Sequence, residues 1–475
     1  MAWPYYGSGF PLIDRSITRL GRLLTILFVV LMLRAAWVQI FAREQYQENP
    51  YNPRAHPGVR DRGVIVARDG EPIADSLGDK RNYPFGPALA HVVGYTSLRY
   101  GNAGLESVYD SVLSARDGAE TVFQRLSEVV DRHSHRPARS GGRIVTTIEP
   151  PIQRALFTAL QPYDHAAGIV LDVHTGAVVA AASVPSYDPN NLDADFPRLA
   201  RDPDSALLDR AIDGLYPPGS TFKIVTAAAA LQSGVVNLTQ TFVDPGYLDV
   251  AGARIQDDNR EATGIQTLAG AFARSSNVDF AQIALLLGAP RLFAQIDAFG
   301  FGQPLDFTLP TVHDHIPTAP GLSDSVLAQL AFGQADLLVS PLRMAVVAAT
   351  VANGGREMAP TLIDQVTSAD GRPQQRVPEL LATPLTPATA AALTQMMIQV
   401  VNAGTGTAAA LPTIQVAGKT GTATNPAGAP HAWFVGFAPA DNPQYALAII
   451  VENGGYGGRV AAPLAARVFA AALNK

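Results

Sequence analysis

The chain has 475 residues, a length that suits two or three domains. Hydrophobic residues make up 47 % and charged residues 16 %, a balance that excludes a largely disordered chain and suits a packed globular one. The net charge of −6 argues against a nucleic-acid binder, and the absence of cysteine excludes disulfides, thiolate metal sites and a cysteine nucleophile.

Residues 1–22 carry Arg15, Arg19 and Arg22 against one acid, Asp14. The mostly apolar residues 23–42 follow, about enough to cross a hydrocarbon core of ~30 Å. The basic flank predicts a cytoplasmic N-terminus with the rest of the chain outside. The apolar run is long for a signal peptide and no small-x-small cleavage site follows it, which predicts a retained anchor. Arg34 interrupts the span at a cost of ~3 kcal/mol. Either its side chain snorkels to the outer interface, or Arg34 and Gln39 meet a partner helix. A buried helix in a soluble domain is the remaining alternative.

Residues 43–150 read as a separate, small support module. In it, Arg62-Gly-Val-Ile-Val-Ala-Arg-Asp69-Gly70 predicts a strand ending in an Asp-Gly turn. Residues 131–139 read as a charged loop, and His133 and His135 there as an exposed pair rather than metal ligands.

Residues 151–475 read as a second, larger domain. Residues 152–160 predict a helix. Residues 166–173 and 177–183, joined by His174-Thr175-Gly176, predict a β-hairpin. Three more strands are expected at 414–424, 431–437 and 445–452, and a closing helix at 463–473. Strands thus come from both ends of a long segment. The fold class this predicts is α+β: an antiparallel sheet covered by helices, with a helical subdomain between residues 208 and 402. Thr386-Pro387 predicts the cap of one long helix in that subdomain.

The chemistry gathers around Tyr216-Pro-Pro-Gly-Ser220-Thr-Phe-Lys223. Two prolines and a glycine force a turn, and a helix-forming run follows at once. Ser220 is therefore expected at a helix N-terminus, where free N–H groups favour an oxyanion. Lys223, three residues on, returns to the face of the Ser220 hydroxyl and can take its proton. Two further motifs come later: Ser275-Ser276-Asn277 after a predicted helix, and Lys419-Thr420-Gly421-Thr422 inside a predicted strand. Each motif alone is weak; the triplet in this order is the signature of serine β-lactamases and penicillin-binding proteins.

Nearly the whole chain resembles the class B penicillin-binding proteins, the peptidoglycan D,D-transpeptidases, and in particular the short actinobacterial-type members. The likeness runs through Arg34 and Trp37-x-Gln39, Arg62-Gly63, Gly94-Tyr-Thr-Ser97 and Gly104-Leu-Glu106. It continues through Pro185-Ser-Tyr-Asp-Pro-Asn190, Gly333-Gln334, Ala352-Asn-Gly-Gly355 and His431-Ala-Trp-Phe434. The resemblance implies a penicillin-binding transpeptidase fold with an N-terminal pedestal or dimerisation-type domain and one transmembrane helix. Stem peptides of peptidoglycan, β-lactam antibiotics, the membrane and a SEDS-family glycosyltransferase are the partners it implies. It implies neither a cofactor nor a metal.

Chemistry and resemblance together suggest roles. Ser220 attacks the carbonyl between two terminal D-alanines, with Lys223 as base. Near neutrality Lys223 must give up its proton, which burial and the second ammonium, Lys419, both favour. Ser275 relays the proton to the departing D-alanine, and Asn277 holds the substrate backbone. Lys419, Thr420 and Thr422 bind the terminal carboxylate, and Gly421 belongs to the same substrate-binding run. The N–H groups of Ser220 and Thr422 form the oxyanion hole, worth ~3 kcal/mol per donor.

Bland readings exist for the same residues. Ser275 and Asn277 could simply end a helix, and Lys419 could be a solvated strand-end lysine. His313 and His315 read as loop residues, Trp433 and Phe434 as sheet core or cleft wall, and Gly354-Gly355 as a helix stop. A D,D-carboxypeptidase or β-lactamase is the alternative within the fold, and a penicillin sensor or non-catalytic scaffold the alternative outside enzymes.

Overall fold

A computed structural model describes residues 11–40, 62–77, 80–114, 141–257, 261–425 and 428–473. The chain divides into two compact units, residues 1–57 with 98–101, and residues 58–97 with 102–475. The first contains the helix Pro11–Ile40. Its stretch Arg19–Trp37 has a mean hydropathy of 1.8 and no buried residue, and it is the one helix among the described residues long and apolar enough to cross a membrane. The helix starts well before the apolar run, because a proline at its first position fits a helical start and no later proline breaks it. Arg34 is exposed on it.

In the second unit, a five-stranded sheet runs in the order Ala417–Ala423, His431–Ala438, Tyr445–Val451, Ala166–Asp172, Val178–Val184. Every pair in it is antiparallel. Side chains alternate between the faces of a strand, and the strand Tyr445–Val451 shows the result. Ala446, Ala448 and Ile450 join one core, whereas Leu447, Ile449 and Val451 join the other. Both faces are covered, so the strand is apolar throughout rather than alternating with polar residues. One face carries the helices Pro150–Leu160 and Ala461–Leu473, and the other carries Pro341–Ala352.

The helical subdomain holds most of the remaining helices. Serine or threonine caps five of the helices, each side chain accepting the N–H three residues on: Thr267, Ser276, Ser323, Ser340 and Thr386. Thr386 opens the helix Pro387–Ala403, as its sequence predicts. Gly354 and Gly355 take positive φ after Ala352 and stop the helix Pro341–Ala352.

The support region is built on a buried ion network. Glu106 is fully buried between Arg62 at 2.5 Å and Arg81 at 2.6 Å, and Arg62 also meets Asp110 at 2.6 Å. A six-stranded sheet lies here, in the order Pro373–Gln375, Ile363–Thr367, Arg143–Thr146, Ile65–Val66, Pro72–Leu77, Lys80–Asn82. Two of its strands thus return from far along the catalytic part of the chain. Asn190 strengthens the join, donating to the Tyr83 carbonyl at 3.0 Å and accepting its N–H at 2.9 Å. The histidines His133 and His135 lie outside the described residues.

Candidate active site

Ser220 sits in a single 3₁₀ turn, Gly219–Phe222, which runs straight into the helix Lys223–Gln232. Gly219 takes φ 51° and donates to the Gly333 carbonyl at 3.0 Å. A Cβ on Gly333 would stand 2.1 Å from the Gly219 oxygen, so two glycines meet back to back behind the serine. Thr221 Oγ1 donates to the Pro218 carbonyl at 2.7 Å and closes the turn.

Lys223 is fully buried, with its ammonium 5.4 Å from the centre of the Phe280 ring and 5.9 Å from that of Phe332. Nζ donates to the Ser275 carbonyl at 2.6 Å, to Asn277 Oδ1 at 2.8 Å and to Ser275 Oγ at 3.3 Å. Lys419 is buried too, and its Nζ reaches the same Ser275 Oγ at 2.8 Å. The Ser275 hydroxyl therefore stands between two ammonium groups.

Backbone conformation makes this possible. Ser275 ends the helix Leu268–Arg274 in the left-handed region, φ 65° and ψ 35°, a conformation that costs a non-glycine residue ~1–2 kcal/mol. Ser275 thereby presents both its carbonyl and its hydroxyl to Lys223, while Ser276 turns the other way and caps the helix Asn277–Ala298. The Asn277 amide is engaged at both ends, since Nδ2 donates to the Gln256 carbonyl at 3.1 Å. One N–H of that amide remains for a ligand.

Lys419, Thr420, Gly421 and Thr422 lie on the outermost strand of the five-stranded sheet. Gly421 lets this strand close on the serine turn, because a Cβ there would meet the Pro218 oxygen at 2.9 Å. Thr420 and Thr405 share a hydroxyl–hydroxyl hydrogen bond of 2.5 Å. Ser220, Ser275, Thr420 and Thr422 line one cleft of about 820 Å³, into which a peptide end would fit. All the residues singled out in the three motifs thus come together.

Other residues are visible only in the fold. Asp257 lines the cleft, and its Oδ1 accepts the N–H groups of Asn277 at 2.5 Å and Val278 at 3.2 Å. It fixes the start of the helix that carries Asn277. Burial pushes its carboxyl up, against the pull of Lys223. Asp279 is buried in the same helical turn with neither carboxylate oxygen hydrogen-bonded. Burial, then the charges of Asp244 and Asp257, push it up to about 7. Glu452 accepts from Tyr216 at 2.7 Å and from Arg210 at 2.8 Å, tying the serine turn to the sheet. Trp433 is sheet core, its indole N–H on the Pro217 carbonyl at 3.0 Å. His315 pairs through its backbone with Leu338, and no group of three metal-ligating side chains occurs among the described residues.

Comparison with known proteins agrees with this geometry. Residues 166–470 match the penicillin binding protein transpeptidase domain, and residues 62–139 the penicillin binding protein A dimerisation domain. The chain is 36 % identical to the peptidoglycan D,D-transpeptidase PbpA of Mycolicibacterium smegmatis, over 97 % of this chain and 99 % of that one. The penicillin-binding protein A of Mycobacterium tuberculosis, solved as its ceftriaxone acyl-enzyme, superposes with a TM-score of 0.80 at 34 % identity, covering 87 % of this chain and 99 % of that one. A D,D-transpeptidase domain from Eggerthella lenta superposes at 0.78 with 35 % identity, over 87 % and 98 %. A serine placed on a helix start, two buried lysines sharing one hydroxyl and a likeness that spans the full chain leave one assignment: this protein belongs to the class B penicillin-binding proteins, as a serine D,D-transpeptidase closely related to the actinobacterial PbpA proteins.

Proposed function

We propose that this enzyme cross-links peptidoglycan outside the cytoplasm through an acyl-enzyme on Ser220. Lys223 takes the hydroxyl proton as Ser220 Oγ bonds to the carbonyl carbon between two terminal D-alanines. The oxyanion rests on the N–H groups of Ser220 and Thr422. The peptide C–N bond then breaks, and the proton reaches the leaving amine through Ser275, so that free D-alanine departs. An amine of a second stem peptide attacks the acyl carbon, gives up a proton along the same path and releases Ser220. Thr420 and Thr422 hold the terminal carboxylate, with Lys419 supplying charge, and Asn277 holds the peptide backbone.

The observation that carries this reading is the Ser275 hydroxyl, bonded by both Lys223 and Lys419 at the wall of the cleft that Ser220 lines. A relay needs a group that can accept from one side and donate to the other, and a hydroxyl does both. Residues 1–22 form a cytoplasmic segment, residues 23–42 the anchor, residues 43–150 the support domain and residues 151–475 the transpeptidase domain. A SEDS-family glycosyltransferase is the membrane partner in this reading.

Intact-mass analysis after exposure to benzylpenicillin tests the nucleophile. The expected result is one adduct on the wild-type protein and none on Ser220→Ala. Adduct lifetime tests the reaction class. Asp257 is the carboxylate on the cleft wall, and its Oδ1 is committed to two backbone N–H groups, which disfavours it as a base for water. The adduct is therefore expected to persist, and rapid turnover of penicillin would favour a hydrolase instead.

A further inference from the structure

The Thr420 hydroxyl meets a residue that belongs to none of the three motifs: its Oγ1 stands 2.5 Å from Thr405 Oγ1. Among the described residues this is the one hydrogen bond that either hydroxyl makes. Thr420 is buried and Thr405 exposed, and both line the cleft with Ser220. Thr405 sits just past the helix Pro387–Ala403, in a loop held by its own backbone. The N–H groups of Gly404 and Gly406 both donate to the Val400 carbonyl, at 3.1 and 3.0 Å, and that of Thr405 donates to the Ala273 carbonyl at 3.2 Å. A Cβ on Gly404 would stand 2.3 Å from that Ala273 oxygen, and one on Gly458 would stand 2.2 Å from the Thr405 oxygen. The loop is thus locked onto the helix that leads into Ser275, and it carries a hydroxyl across to the strand of Thr420.

A hydroxyl carries one hydrogen and two lone pairs. The two threonines own one hydrogen each, and their mutual bond uses one of the pair. A carboxylate only accepts, so the hydrogen left over decides which threonine can meet it. With Thr405 as donor, that hydrogen belongs to Thr420. With Thr420 as donor, Thr420 would turn lone pairs alone toward the carboxylate and repel it. A hydroxyl that accepts one hydrogen bond is also a stronger donor of the next. The Thr405 hydroxyl is not needed to hold its own loop, because the backbone hydrogen bonds to Val400 and Ala273 already do so.

We propose that Thr405 is a positioning residue for the carboxylate subsite: it donates to Thr420 Oγ1 and so commits the Thr420 hydrogen to the carboxylate of the ligand. This role rests on the reading that Thr420 holds the terminal carboxylate. Thr405 thereby sharpens the preference for a free C-terminal acid over an ester or amide. It acts through Thr420, on capture of the ligand, and not on bond formation at Ser220.

Stopped-flow acylation of the full chain in detergent, by benzylpenicillin and by its methyl ester, separates capture from chemistry. Thr405→Val keeps the side-chain shape and removes the hydroxyl. It should weaken capture of benzylpenicillin roughly threefold to tenfold and leave the limiting acylation rate within about twofold. Thr405→Ser should restore capture. The methyl ester has no carboxylate, so the valine variant should capture it as the wild type does. In a Thr420→Val background, Thr405→Val should add nothing, because the residue through which it acts is gone. Equal losses for acid and ester would overturn the role, and so would failure of serine to restore capture. An undiminished effect of Thr405→Val in the Thr420→Val background would overturn it too, since Thr405 would then act without Thr420. Absence of a wild-type adduct would refute the Ser220 reading itself, and unchanged capture by Thr420→Val would refute the assignment of Thr420. Weak capture by Thr420→Val beside normal capture by Thr405→Val would remove the role of Thr405 alone.

Discussion

Ser275 concentrates the chemistry of the site at one strained residue. Replacing it separates two effects. Ser275→Gly and Ser275→Ala both remove the hydroxyl that the two lysines share, so both should slow acylation strongly. Only glycine relieves the left-handed backbone, so the glycine variant should be ~1 kcal/mol more stable than the alanine variant, measured by denaturant unfolding. For the lysines, Lys223→Ala should nearly abolish acylation even at saturating β-lactam, because the step itself loses its base. Lys419→Ala should chiefly weaken capture of carboxylate ligands. Asp279 gives a pH prediction. Its carboxyl is raised to about 7, so ionising it disfavours the folded state, a penalty present above that pH and relieved as the carboxyl protonates. Asp279→Asn should therefore raise the melting temperature at about pH 8, with a gain that shrinks toward about pH 5. The three motifs were legible because each is a short run with its own chemistry. Asp257 was not, because its partners Asn277 and Val278 lie twenty and twenty-one residues away and no local pattern links them.

At the level of elements, the cleft depends on close approach of backbone segments. The serine turn touches Gly333 behind it and Gly421 beside it. Gly333→Ala would drive a methyl group against the Gly219 oxygen, at a position with φ 78° that already disfavours a side chain. Acylation by benzylpenicillin should fall by more than about tenfold, with a loss of stability of ~2 kcal/mol or more. Stopped-flow acylation and thermal unfolding check the two parts. The long strands and helices were readable from period and capping to within a few residues; the strand expected at 414–424 spans Ala417–Ala423. The ribbon of Thr241–Asp244 and Gly264–Thr267 was not read. Its strands are four residues long, and Thr241–Asp244 turns Phe242 and Asp244 inward while Val243 is exposed opposite Ile265, so an acid lies on the buried face and apolar residues on the exposed one, against the usual pattern.

For the whole molecule, the proposed orientation of the candidate membrane-spanning helix rests on Arg15, Arg19 and Arg22 before the apolar run. A reporter fused after Lys475 should work only if it is a type active outside the cytoplasm. Exchange of residues 20–42 for an unrelated spanning helix should leave β-lactam acylation intact and impair growth in cells that depend on this enzyme. Full complementation by the exchanged protein would remove the case for a partner helix. The sequence did not show how the sheet of the support region is closed. The strands Ile363–Thr367 and Pro373–Gln375 that complete its sheet are more than 200 residues from Arg143–Thr146, and contacts at that separation leave no trace in local composition.

That shared sheet decides which fragments can exist on their own. The strand Arg143–Thr146 pairs in parallel with Ile65–Val66 and antiparallel with Ile363–Thr367. A fragment beginning at residue 151 would keep the serine, both lysines and the whole cleft, yet it would lose this middle strand. Ile363–Thr367 would then offer a bare row of amide groups to any passing chain, a template for self-association. Such a fragment should sediment as aggregate, whereas one that begins ahead of Arg62 should remain soluble. A catalytic domain that is complete by its chemistry is therefore incomplete as a solute.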